Sequence, residues 1–170
     1  AGLQKGELII IAGRPSMGKT AFALNIAEHA ALSDEKSVAV FSMEMSASSL
    51  AQRMISSLGR VNSHSMRTGK LEEKDWNRID GAIQQIKNAP IYIDDAPSLT
   101  PIELRARARR IQREKGLSLI LIDYLQLMQV SGSKENRATE ISEISRNLKA
   151  LARELDVPII ALSQLNRSVE

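Results

Sequence analysis

Cysteine is absent from the 170 residues, and histidine occurs only twice, at His29 and His64. A thiolate zinc site, a cysteine nucleophile, an iron–sulfur cluster and a disulfide framework are therefore excluded. Aromatic residues make up 3% of the chain: Phe22, Phe41, Trp76, Tyr92 and Tyr124. These are too few to build a platform on which a row of bases stacks, so any nucleic-acid partner must be held through its backbone. Apolar runs are short as well. The longest near the start, Leu8-Ile9-Ile10-Ile11-Ala12, falls far below the ~20 residues of a membrane span, and no basic-then-apolar leader is present. These absences predict a cytoplasmic protein with no membrane partner. Internal repeats and low-complexity linkers are also missing.

The chain has enough apolar material for one core. With 43% hydrophobic residues and a net charge of +3, it reads as a single globular domain that needs no staple. Charge is unevenly placed: Pro101 to Lys115 holds five arginines and one lysine against two glutamates, a pattern whose plainer reading is a solvated helix face. The sequence begins without methionine and stops soon after a strand candidate, which predicts a piece of a longer protein.

Periodicity predicts alternating strands and helices. Strands are expected at Glu7–Ala12, Val38–Ser42, Ile91–Ile93, Leu117–Asp123 and Val157–Leu162. Between them, Lys19–Leu32 repeats Phe22, Ile26 and Ala30 at helical spacing. A second helix opens at Ser46, carries Leu50, Met54, Ile55 and Leu58, and stops at Gly59, a usual C-terminal signal. A third has Trp76, Ile79, Ile83 and Ile86 on one face and closes at Pro90. Thr100-Pro101-Ile102-Glu103 combines a capping box with proline at the first helical position, and Ile141 to Leu155 marks a long amphipathic helix. The expected fold class is α/β, a mostly parallel sheet with helices on both faces.

Gly13-Arg14-Pro15-Ser16-Met17-Gly18-Lys19-Thr20 fits G-x-x-x-x-G-K-[ST], which chance places in such a chain on the order of half a percent of the time. It follows an apolar strand and opens a helix, so successive backbone N–H groups and the positive helix end can surround a phosphate chain. Lys19 would reach the β and γ phosphates, and the Thr20 hydroxyl would take a Mg²⁺ position. Phosphate-bound Mg²⁺ also needs a carboxylate on a neighbouring strand, and Asp123 ends Leu119-Ile120-Leu121-Ile122-Asp123 where α/β sheets bind ligands. Tyr124, not an acid, follows it, so the group that takes a proton from attacking water must lie elsewhere. Glu44, after the second strand in Phe41-Ser42-Met43-Glu44-Met45, is the best candidate, with Asp94 and Asp95 as weaker competitors that also read as turn chemistry. Gln164, in Leu162-Ser163-Gln164-Leu165, has the donor and acceptor of a γ-phosphate sensor.

With these residues in place, the sequence resembles the C-terminal motor domain of the DnaB-type bacterial replicative DNA helicases, within the RecA-like ATPases. The likeness covers nearly the whole chain and rests on the phosphate-loop segment, Phe41 to Met45, Arg67-Thr68-Gly69, Tyr92-Ile93-Asp94-Asp95, Ile122-Asp123-Tyr124-Leu125-Gln126-Leu127-Met128 and Ala161 to Arg167. It implies a RecA-like P-loop NTPase core, here partial over residues 1–170 and truncated at its C-terminal side. It further implies a ring homohexamer that encircles single-stranded DNA and moves 5′ to 3′ on ATP hydrolysis, with primase and a helicase loader as partners. Gly13, Arg14, Pro15, Ser16, Met17, Gly18, Lys19, Thr20 and Ala21 would then hold ATP. Thr20 and Asp123 would hold Mg²⁺, Glu44 would activate water, and Gln164 would couple nucleotide state to the DNA side. The loop Gln129–Thr139 would face the channel, with Lys134 and Arg137 as phosphate contacts. Family members carry arginine fingers beyond the last residue here, so the 170 residues alone are expected to bind nucleotide, hydrolyse it poorly and not unwind DNA. Competing readings are a recombinase or clock-type ATPase on the same core, a nucleotide-gated interaction module, and a phosphotransferase, for which no substrate signature is present.

Overall fold

A computed structural model describes residues 2–13, 18–128 and 137–164. The chain runs β1 (Leu8–Gly13), α1 (Lys19–Leu32), β2 (Val38–Ser42), α2 (Ala47–Gly59), α3 (Ser63–Thr68), α4 (Glu73–Asn88), β3 (Ile91–Asp94), α5 (Pro101–Lys115), β4 (Leu119–Asp123), a 3₁₀ turn (Leu125–Leu127), α6 (Arg137–Leu155) and β5 (Ile159–Gln164). The strands form one sheet in the order β1-β5-β4-β2-β3, every pair parallel. Parallel neighbours need crossovers, and the helices supply them on both faces.

Side-chain alternation divides the core in two. One face of the sheet offers Phe41, Ile120, Ile122, Ile159 and Ala161 to Leu104 and Ala108 of α5 and to Ile144, Leu148 and Leu151 of α6. The other offers Val38, Val40, Leu119, Leu121, Ile160 and Leu162 to Ala23, Leu24, Ala27 and Ala31 of α1 and to Leu50 of α2. Period-2 alternation in strands buried on both sides is what makes them read as continuous apolar runs.

Several details depart from the periodic reading. On α1 the buried set is Ala23, Leu24, Ala27, Glu28 and Ala31, while Phe22 is 56% exposed. The alanines let α1 lie close against the sheet, which rotates Phe22 outward. On α4, Ile79 and Ala82 are buried, but Trp76 is 52% exposed and Ile83 39%. That helix packs against α2, a narrower contact than a sheet face. Gly59 serves this contact: a Cβ there would lie 3.1 Å from the carbonyl oxygen of Arg78 and 3.6 Å from Cβ of Ala82. The left-handed residue that closes α2 is Arg60, one position later than the glycine. Residues 60–70 also contain α3, started by Asn62, whose side chain accepts from the amides of His64 and Ser65, and stopped by Gly69 with φ +73°. Six residues are too few for helical periodicity to register.

The predicted helix start at Thr100 is present with Pro101 in its first turn, though the box is half of the usual one. Thr100 Oγ1 accepts from Glu103 N at 3.2 Å and donates to the Glu103 carboxylate at 3.1 Å. The arginines of α5 do not form a free basic stripe. Arg105 and Arg109 pair with Glu154 on α6, and Arg107 pairs with Asp94 at the end of β3. None of the helices among the described residues is long and apolar enough to cross a membrane.

Candidate nucleotide site

Parallel strands all end on the same side, so the carboxyl edge of the sheet collects the residues that follow them. Gly13 closes β1, opposite Gln164 of β5 in register. Arg14, Pro15, Ser16 and Met17 lie outside the described residues. Gly18 resumes the chain at φ +73°, ψ 17° as the N-cap of α1, a left-handed conformation that glycine adopts without a Cβ penalty. Its carbonyl accepts from Phe22 N at 3.0 Å, starting the helix at the last glycine of the motif.

Lys19 reaches back over that edge. Its Nζ donates to the carbonyl oxygens of Gly13 and Ser163, both at 2.8 Å, bridging the ends of β1 and β5. A Cβ on Gly13 would stand 3.0 Å from the lysine stem, so a larger residue there would make the Lys19 side chain shift. Burial holds the lysine below its ordinary pKa, and the charges of Asp123 and Glu44 work against that shift. Thr20 Oγ1 donates to Asp123 Oδ2 at 3.4 Å across from β4. Asp123 is buried, 5% exposed. Burial pushes its carboxyl up, the nearby Glu44 carboxylate adds to the rise, and the Thr20 hydroxyl, Lys19 and Arg53 oppose it. Glu44 is exposed in the turn between β2 and α2, near enough for its charge to act on both Lys19 and Asp123. Lys19, Thr20, Glu44 and Asp123 thus share one electrostatic environment, with Gln164 at the same edge.

The remaining sequence candidates separate from this group. Asp94 is taken up by Arg107, whose Nη1 reaches its two carboxylate oxygens at 2.9 and 2.7 Å. Asp95 accepts from Ala47 N at 2.9 Å. Lys134 lies outside the described residues, and of Arg137 only its place as the first residue of α6 is described.

Two further residues emerge only in three dimensions. Gln126, in the 3₁₀ turn after Asp123, donates to Ser163 Oγ at 2.8 Å and to the carbonyl of Gln164 at 2.9 Å, and accepts from Gln164 N at 3.2 Å. One amide side chain therefore ties the segment after Asp123 to the strand end that carries Gln164. Arg53 of α2 is the second, felt electrostatically at Asp123. Gln126 belongs to a motif segment in which its own role is hidden, since its partners lie 37 and 38 residues away.

This strand order, with a lysine and a threonine opening the helix after the first strand and a buried acid ending a central one, defines a RecA-like P-loop NTPase core. The chain belongs to the DnaB-like helicase C-terminal domain family, whose model matches residues 1–170. It is 57% identical over 171 residues to the replicative DNA helicase DnaB of Geobacillus stearothermophilus and 59% identical over 172 residues to that of Buchnera aphidicola subsp. Schizaphis graminum. The replicative DNA helicase DnaC of Bacillus subtilis is 56% identical over 171 residues. Each match takes in 100% of this chain but only 37–38% of the relative. Among solved structures, an isolated ATPase domain superposes with a TM-score of 0.93 at 37% identity, covering 99% of this chain and 60% of that one. A DnaB-like replicative helicase, described with its interactions with primase, matches with the same score and identity over 99% of this chain and 41% of its own.

Proposed function

We propose that this chain is the ATPase motor portion of a replicative DNA helicase. The observation that carries the reading is the convergence of Lys19, Thr20, Asp123 and Glu44 at one sheet edge of a fold whose relatives are replicative helicases. In the cell it would act in the cytoplasm, as one subunit of a ring homohexamer on single-stranded DNA, moving 5′ to 3′ and opening the duplex at the fork. Primase and a helicase loader would be its partners.

The nucleotide is ATP with Mg²⁺. The donor set suits that ion: a hydroxyl and a carboxylate 3.4 Å apart are hard oxygen ligands, and Mg²⁺ keeps several waters and uses one or two carboxylates plus phosphate oxygens. Among the described residues no cluster of three or more His, Cys, Asp or Glu could form a protein cage for a metal, in keeping with such a shared site. Thr20 and Asp123 would hold that ion, which when bound would supply charge neutralisation to the phosphates.

Gly13 through Ala21 would bind the triphosphate, with the start of α1 offering its free amides to the anion. Lys19 exchanges its carbonyl partners for the β and γ phosphates. Glu44 takes a proton from the water that attacks the γ-phosphorus, and ADP leaves with the bridging oxygen. Gln164 meets the γ-phosphate side, and Gln126 passes its position toward the segment that includes Lys134 and Arg137, the DNA-contacting side.

The test is steady-state Mg-ATP hydrolysis by the full natural polypeptide containing this sequence, with and without unstructured single-stranded DNA. DNA should stimulate turnover strongly. Glu44→Gln should lower kcat by about 10²- to 10⁴-fold while nucleotide still binds, whereas Lys19→Ala should lose both. Turnover indifferent to DNA would overturn the helicase reading in favour of a nucleotide-gated module.

A further inference from the structure

Glu44 lies in no regular element, so its place depends on what holds the turn from Met43 to Ser46. The incoming end is pinned twice. Met43 N donates to the carbonyl of Asp123 at 2.9 Å, and Met45 N donates to Oγ of the fully buried Ser42 at 3.2 Å. The outgoing end is the start of α2, where the first amides of a helix lack intrahelical partners. Ser46 caps the amide of Ser49 at 3.2 Å. The amide of Ala47, the first of the helix, is taken by the carboxylate of Asp95 from the far side of β3, at 2.9 Å and 48 residues away in sequence. A carboxylate at this end of a helix is also favoured by the helix dipole.

The carboxylate that does this is itself on a fixed mount. Asp95 follows β3 directly, and Asp94, in register with Phe41 of β2, is fastened by Arg107 of α5 and accepts from Ala96 N at 3.1 Å. A continuous link therefore runs from α5 through the end of β3 to the first amide of α2, three residues beyond Glu44.

We propose that Asp95 is a positioning residue for Glu44. It does not reach the reacting atoms; it fixes where α2 begins, and with the pins at Met43 and Met45 it confines the turn that carries the water-activating carboxylate. The inference rests on the reading of Glu44 given above. Without this bond the first turn of α2 can fray and the Glu44 carboxylate loses its fixed distance from Asp123 and Lys19.

Two variants remove the same bond from opposite partners. Asp95→Ala deletes the acceptor. Ala47→Pro deletes the donor at a first helical position, where proline is tolerated, after a Ser46 whose φ of −68° and ψ of 156° already suit a residue preceding proline. Asp95→Asn keeps an acceptor oxygen. In the full natural polypeptide, Asp95→Ala and Ala47→Pro should each lower kcat for Mg-ATP about 10- to 100-fold. The Kd of a fluorescent ADP analogue should stay within about twofold and far-ultraviolet circular dichroism should be unchanged, while Asp95→Asn keeps most of the turnover. Should Asp95→Ala fail to fold, Ala47→Pro decides alone. Full turnover in Ala47→Pro beside an inactive Glu44→Gln removes the role of Asp95 and leaves that of Glu44 standing. Full turnover in Glu44→Gln removes both. A loss of ADP-analogue affinity in step with kcat would also overturn the inference, because it would make Asp95 part of nucleotide binding.

Discussion

Glu28 carries its carboxyl into the contact between α1 and α2, where the residue is 7% exposed and Ser57 supplies a hydrogen bond. Burial outweighs that bond and raises its pKa above the ordinary 4.5. Ionisation near neutral pH therefore costs the folded chain more than the unfolded one, and the cost fades as pH falls through the raised value toward 4.5. Glu28→Gln should raise the melting temperature at pH 7 to 8, and the gain should shrink to nothing as the pH approaches 4.5 in paired thermal melts. Lys19, Thr20 and Asp123 were legible from the sequence because each sits in a local pattern with its own chemistry. Gln126 and Asp95 were not, since their bonds go mostly to backbone amides and carbonyls of remote segments and leave no signature of residue type.

Helix starts were readable at Ser46 and Thr100, where a side chain does the capping, but not at Asn62, whose helix is too short to register. Ser46, Asn62 and Thr100 all accept from amides two or three residues further along the chain, the usual N-cap geometry. Thr100→Ala should therefore destabilise the chain by about 1 kcal/mol in urea unfolding, with an unchanged m-value. Faces were less legible than ends. Small residues at Ala23, Ala27 and Gly59 let elements approach closely, and apolar periodicity weighs them too lightly against Phe22 or Trp76. The arginines of α5 do lie on the solvated face that the charge count implies, and what it cannot show is that three of the five pair with Asp94 and Glu154.

Across the whole molecule, β1, β2, β4 and β5 bring Lys19 and Thr20, Glu44, Asp123 and Gln164 to a common edge, and β3 brings Asp95 to the first amide of α2. A ligand bound there grips the folded chain alone, because no unfolded segment holds Lys19, Thr20 and Asp123 together. Mg-ADP at 100 times its Kd should raise stability by about 2.7 kcal/mol, read as an upward shift in melting temperature that Lys19→Ala abolishes. The α/β class and its alternation were legible because buried parallel strands are written as apolar runs between helical patterns. The strand order was not, since nothing local to β1 says that its neighbour is β5.

That neighbour relation has a consequence in time. Lys19 and the Ser163 carbonyl it grips are 144 residues apart, and a ribosome adding about 5–20 residues per second separates their emergence by roughly 7 to 29 s. Throughout that interval the apolar strand Leu8–Gly13 waits without the partner it has in the finished sheet. The bridge that Lys19 makes between the ends of β1 and β5 can close only after β5 has emerged.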